Sequence, residues 1–347
     1  MTSRERILTA FRLGTPDRVP VSPFIQPGWL EKAGAWAEPV LEKTDVLLDV
    51  GVGGGDPVLG RAAEVESRAE GNDSIAIFHT PKGDLTRRSR RTEKTSAQVE
   101  FPLKTPADAE KFFSIPYDPP EPDISNFLEW KQRVGERGLV LAGCGDGVCV
   151  PAGWFSPEAF SLCWADAPEV MIELTRVGHE RLLRFVEKAT AMGVDAWRIV
   201  GGEYVTVQLG PSAFEPLLTR FDTELVAAIH RGGGIAYYHN HGPVMRYLDD
   251  LAALGIDALD PVEVPPCGDV DLRLAKERLR GKVCPVGPLD DMMVLSQVSE
   301  EEACRLARAC LDAAGPDGYV LGGTASGLFT EGMARNFIAM AEMVERS

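Results

Sequence analysis

The chain has 347 residues, 44% of them hydrophobic and 25% charged, with a formal net charge of −16 at neutral pH. That acidic excess argues against nucleic acid and anionic membrane surfaces as partners, because both select basic patches. No apolar run approaches the ~20 residues of a transmembrane helix.

Seven cysteines, an odd number in no framework, read as reduced thiols. The opening Met1–Arg6 mixes acid and base, unlike a signal peptide. The expected location is the cytoplasm and the expected target a small molecule.

Thr2 and Glu5 form a capping box ahead of Ile7, Leu8 and Phe11, predicting a first helix that ends near Gly14 and Pro16. A short strand over Val19 to Ile25 follows. Gly51 to Gly55 is glycine-rich but lacks the order of a phosphate loop, so it reads as an ordinary loop. Residues 75–104 alternate around a turn at Pro81-Lys82-Gly83-Asp84, predicting a β-ribbon insertion. The ribbon's Arg87-Arg88-Ser89-Arg90-Arg91 run reads as a solvated strand edge, with anion binding as the alternative.

From residue 139 the pattern becomes regular. Strands are predicted over 139–143, 196–200, 235–239, 258–264, 283–286 and 319–322. Ser156-Pro157 starts one helix, residues 212–230 and 244–254 form others, and Ser299 with Glu302 caps another that Gly315-Pro316 stops. Strands separated by helices imply a parallel sheet with helical crossovers. No Gly-x-Gly-x-x-Gly follows an early strand, so an α/β fold of (β/α)8 barrel type, with an N-terminal helical extension, fits better than a doubly wound sheet. No linker divides residues 1–347, which read as one domain.

In such a barrel the chemistry belongs at the C-terminal strand ends. The most informative run is Tyr237-Tyr238-His239-Asn240-His241-Gly242. Residues i and i+2 of a strand share a face, so two of only five histidines converge. Neutral imidazoles ligate zinc well, and Glu263, one strand later, is a further candidate ligand. Asp146 and Glu203 close two earlier strands and are candidate general acids, with His241 as a third catalytic candidate. Cys163, Cys304 and Cys310 lie on helix stripes and read as core, whereas Cys144 and Cys267 lie near loops as candidate thiols.

Several segments together resemble the uroporphyrinogen decarboxylase superfamily over nearly the whole chain. They are Ser3 to Leu8, Thr15-Pro16-Asp17-Arg18-Val19-Pro20-Val21, Thr80-Pro81-Lys82-Gly83, Phe101 to Pro106 and Glu263 to Leu272. The true decarboxylase's arginine signature after the first strand is missing, since that place reads Phe24-Ile25-Gln26-Pro27-Gly28-Trp29. The resemblance is closer to the methyltransferase branch, which moves methyl groups between corrinoid proteins and coenzyme M or a folate.

That resemblance implies a zinc site at His239, His241, Glu263 and Ser326, with His241 and Ser326 standing where the thiol-activating members have cysteines. A corrinoid or tetrahydrofolate is the implied methyl carrier. A corrinoid protein is the implied partner beside the small methyl donor or acceptor, and a homo-oligomer is an expectation that the resemblance does not itself supply. Replacing thiolates by imidazole and hydroxyl leaves zinc more electrophilic and puts coenzyme M in doubt as acceptor. The competing readings are a decarboxylase of a small aromatic or heterocyclic acid, a metal-dependent hydrolase and a non-catalytic corrinoid-binding subunit.

Overall fold

The computed structural model describes residues 1–93 and 95–346; the expected ribbon span 75–104 includes residue 94, which lies outside them. The expected barrel forms. Its strands are β1 (Val21–Ser22), β2 (Phe24–Ile25) and β3 (Val46–Gly51). After the ribbon strands β4 (Glu64–Glu70), β5 (Asp73–His79), β6 (Leu85–Arg91) and β7 (Ser96–Glu100) come β8 (Gly138–Gly145), β9 (Ala196–Val200) and β10 (Ile235–His239). β11 (Ala258–Asp260), β12 (Cys284–Pro288) and β13 (Val320–Gly322) complete it.

The parallel order β1-β13-β12-β11-β10-β9-β8-β3-β2 closes on itself because β1 and β2 are two halves of one barrel strand. Pro23, which has no N–H to donate, separates them. Val21 pairs with Leu321 on one side, and Phe24 pairs with Leu47 on the other. The second barrel strand, β3, was not among the expected elements. The strand expected over 258–264 ends at Asp260.

The ribbon is larger than expected, a four-stranded antiparallel sheet that begins at Glu64. Its first strand, β4, is exposed along its whole length and so has no alternating apolar pattern to read. The arginine run lies on β6, which pairs on both sides and is not an edge. Arg88 and Arg90 instead reach Asp73 on the neighbouring strand, while Arg87 lies 5.3 Å over both Phe78 and Trp154 and ties the sheet to the body.

Two packing layers position the site. The inward residues Leu47, Leu139, Leu141, Ala196, Ile235, Tyr237, Ala258, Cys284, Val286 and Val320 fill the barrel. The first helix, Ser3–Phe11, held by the predicted Thr2/Glu5 capping box, plugs its lower end with Ile7, Ala10 and Phe11. The superfamily-like Asp17-Arg18 segment anchors that plug. Arg6 bonds Asp17 and buried Asp45 at 2.6 Å each, and Arg18 bonds the other Asp45 oxygen at 2.6 Å. With the bottom closed by this helix, the C-terminal mouth is the end of the barrel left for chemistry among the described residues.

The other expected helices form, with two refinements, whereas Ser125–Val134, Leu272–Leu279 and Glu331–Glu345 are helices that were not among the expected elements. The 212–230 segment is built from short 3-10 and π turns before a regular helix at Arg220–Arg231. Ser299 caps its helix, but Glu302 pairs forward with Arg305 at 2.6 Å instead of reaching back to the cap. Among the described residues, no helix is long and apolar enough to cross a membrane.

Candidate active site at the barrel mouth

Alternation along β10 sends residues 235, 237 and 239 into the barrel and Tyr238 toward the helix layer. His239 therefore enters the barrel, whereas His241 lies beyond the strand end and its side chain keeps 37% of its exposure. The two rings meet edge to face at 4.5 Å between centroids. Sequence spacing predicted this convergence.

Each ring is fixed through Nδ1 by a carboxylate from the next strand or its loop. His239 Nδ1 lies 2.7 Å from Asp260 Oδ2, both groups buried. His241 Nδ1 lies 3.0 Å from Glu263 Oε1, and the Gly242 N–H donates to Glu263 Oε2 at 2.7 Å. No described residue hydrogen-bonds either Nε2.

The two imidazoles are pushed in opposite directions. Burial holds His239 below the ordinary histidine value, outweighing Asp260. The Glu263 hydrogen bond raises His241, with help from the charges of Asp260 and Glu203. Burial thus disfavours the cation at His239, while the Glu263 hydrogen bond favours it at His241.

The expected zinc shell does not assemble. Carboxylate-oriented histidines do suit a metal, but Glu263 stands behind His241, with one oxygen on its Nδ1 and the other accepting the Gly242 N–H. Ser326 Oγ donates to Asp291 Oδ2 at 3.0 Å, and the Ser326 N–H donates to the same oxygen at 2.9 Å. Asp291 thereby anchors the β13 loop, which is the place Ser326 occupies in this chain. Among the described residues no three His, Cys, Asp or Glu side chains converge in metal-holding geometry.

The candidate acids also separate. Asp146 follows β8 but turns into the layer between barrel wall and helices. There it meets Asp222 of the Arg220–Arg231 helix, whose carboxylate accepts the Tyr238 hydroxyl at 2.7 Å. Burial raises both carboxyls, Asp222 to about 7. Glu203 stands between the two sites, its charge acting on Asp146 and on His241. Burial pushes the Cys144 thiol up, which opposes a nucleophilic role, and Cys267 is exposed.

Sequence reasoning missed Asp49 and Arg198. Both are inward positions, on β3 and β9, below His239. Arg198 pairs in register with Tyr237 and Gly143, and lies 4.8 Å over the Phe24 ring. The signal was present in Ala196-Trp197-Arg198-Ile199-Val200, where a lone charge interrupts an apolar strand.

A uroporphyrinogen decarboxylase (URO-D) family model matches residues 156–347. No curated protein gives a significant match. Among solved structures, a methyltransferase from Methanosarcina mazei is similar with a TM-score of 0.68 at 15% identity, covering 100% of this chain and 99% of that one. A B12-independent methionine synthase from Shewanella sp. W3-18-1 gives 0.47 at 13% identity, over 82% of this chain and 76% of that one. At such identities the first similarity establishes a shared fold alone, and the second does not reach that.

Proposed function

The chain belongs to the uroporphyrinogen decarboxylase (URO-D) family, and from that premise we propose that it is a methyltransferase, moving a methyl group between a small methylated substrate and a corrinoid or folate carrier. The observation that carries this reading is the split imidazole pair at the mouth of the barrel. Two titratable groups in contact, displaced in opposite directions, mark an acid and its neutral neighbour. Methyl transfer from oxygen or nitrogen needs the departing heteroatom to gain a proton or an equivalent positive charge as its bond to carbon breaks.

His241 supplies that proton from Nε2, while Glu263 holds its ring by Nδ1 and stabilises the cation. His239, neutral and oriented by Asp260, takes the other side of the heteroatom. Glu203 keeps the local field negative and so favours reprotonation of His241. With Glu263 behind His241 and Ser326 bonded to Asp291, we assign polarisation to the His241 proton rather than to zinc. The rim around this pair carries exposed Val207, Val264, Met292, Met293 and Leu328, an apolar border suited to a flat carrier or the protein that holds one.

The test is methyl transfer from a panel of O- and N-methyl compounds to cob(I)alamin or tetrahydrofolate, followed by the absorbance of methylcobalamin and by chromatography. Transfer by wild type, reduced roughly 100-fold or more in His241→Ala, is expected. Elemental analysis of the same preparations separates the proton from the metal. Stoichiometric zinc that is lost in both His239→Ala and His241→Ala would overturn the proton-donor account. The second reading, decarboxylation of a small acid, is favoured by Arg198 inside the barrel; release of carbon dioxide without transfer to either carrier would establish it.

A further inference from the structure

The chain satisfies one buried arginine fully and leaves another short. At the barrel floor Arg6 meets Asp17 and Asp45 at 2.6 Å each. Inside the barrel, below His239, Arg198 Nη1 stands 3.6 Å from Asp49 Oδ2, beyond hydrogen-bonding distance. Both side chains are largely buried, at 13% and 16% exposure. Arg198 Nε and Asp49 Oδ1 are sealed from solvent without a partner.

A guanidinium has five donors in a fixed planar fork and is never deprotonated, so burial with those donors unfilled is costly. Such a group calls for an explanation, and a ligand is one. The inward positions of β8 above Leu141 are Gly143 and Gly145, and the absent side chain at Gly143 admits the Asp49 carboxyl, whose Oδ1 would lie 3.0 Å from a Cβ there. The Phe24 ring covers one face of the guanidinium, leaving its edge as the binding surface.

We propose that Arg198 is the docking point for a carboxylate on the substrate, so that the barrel selects a small monocarboxylate whose methyl-bearing heteroatom reaches the histidine pair. The inference rests on the barrel mouth being the substrate site of the proposed methyltransferase. Planarity favours a carboxylate, because two parallel N–H donors match its two oxygens. Register sets the length. Arg198 is level with Tyr237, two residues before His239, so the poles are separated by about 7 Å along the strand. That spacing suits an acid whose heteroatom lies across a ring or a short chain from the carboxyl group.

The test is calorimetric titration with 4-methoxybenzoate and its neutral isostere 4-methoxybenzamide, on wild type, Arg198→Met and Arg198→Lys. Wild type is expected to bind the acid about tenfold or more tighter than the amide. That preference should vanish in Arg198→Met and persist in part in Arg198→Lys, with thermal melts confirming that both variants fold. The proposal is overturned if wild type shows no preference for the acid, including the case in which it binds neither. It is also overturned if folded Arg198→Met retains the preference. Where Arg198→Met does not fold, the wild-type comparison and Arg198→Lys decide. Binding is read without turnover, so a failed methyl-transfer assay beside a positive titration would sink the activity and spare the carboxylate site.

Discussion

His239 and His241 are chemically identical and two positions apart, yet their surroundings set them to opposite tasks. His239 is inside the wall, where desolvation disfavours the cation; His241 has passed the strand end and meets Glu263. Replacing Glu263 by glutamine keeps a hydrogen-bonding group of the same shape and removes its charge. The His241 pKa is predicted to fall, measurable by NMR titration of the ring protons, with His239 little changed. A group raised on folding adds stability that is full below its unfolded value, near 6.5, and is lost as pH rises through the folded value. Glu263→Gln should therefore flatten the fall of stability with rising pH across that window, from about 6.5 upward; an unmoved His241 would show that Glu263 is not its partner. Spacing revealed that these imidazoles meet. It did not reveal that both Glu263 oxygens and the Ser326 hydroxyl were engaged, because those partners arrive from other strands.

At the scale of elements, close approach is set by glycine where backbone meets side chain. Gly178 of the long helix Pro168–Met192 faces the short helix Cys149–Trp154, and a Cβ there would run into Val150 Cγ2 and lie 3.1 Å from the Gly147 carbonyl oxygen. Gly178→Ala is predicted to destabilise, since overpacking costs about 1–3 kcal/mol, only partly offset by a helix-propensity gain of up to about 1 kcal/mol. A urea midpoint at or above wild type would contradict this and show that the helices can part. The elements that escaped sequence reading have a shared cause. β4 is exposed throughout and β3 is buried on nearly every residue, so neither shows the alternation that marks a half-buried strand. Strands β8 to β10 were legible because each is a short, largely apolar run that ends in a glycine-containing turn before a helical segment.

For the molecule as a whole, the buried carboxyls between wall and helices tie stability to pH. Burial raises Asp222 from the ordinary 3.8 to about 7, and raises Asp146 as well, beside the charges of Asp222 and Glu203. A carboxyl raised on folding holds its proton more tightly in the folded state. Its stabilisation is full below the unfolded value and is lost as pH rises through about 7. Asp222→Asn cannot ionise, and its amide oxygen can still accept from the Tyr238 hydroxyl. Its thermal midpoint is predicted to decline less than that of wild type between about pH 5 and pH 8; an equal or steeper decline would exclude Asp222 as the source.

What the sequence by itself determined is the barrel, its N-terminal helix and the meeting of His239 with His241, because these follow from periodicity, caps and spacing along one segment. Only the tertiary structure decided which carboxylates orient the histidines, that Asp146 turns away toward Asp222, and that Arg198 stands short of partners below His239. Those outcomes depend on strand register and the direction of each side chain around a closed barrel. Residues separated by 20 to 150 positions become neighbours there, and no local pattern encodes which atoms remain unpaired.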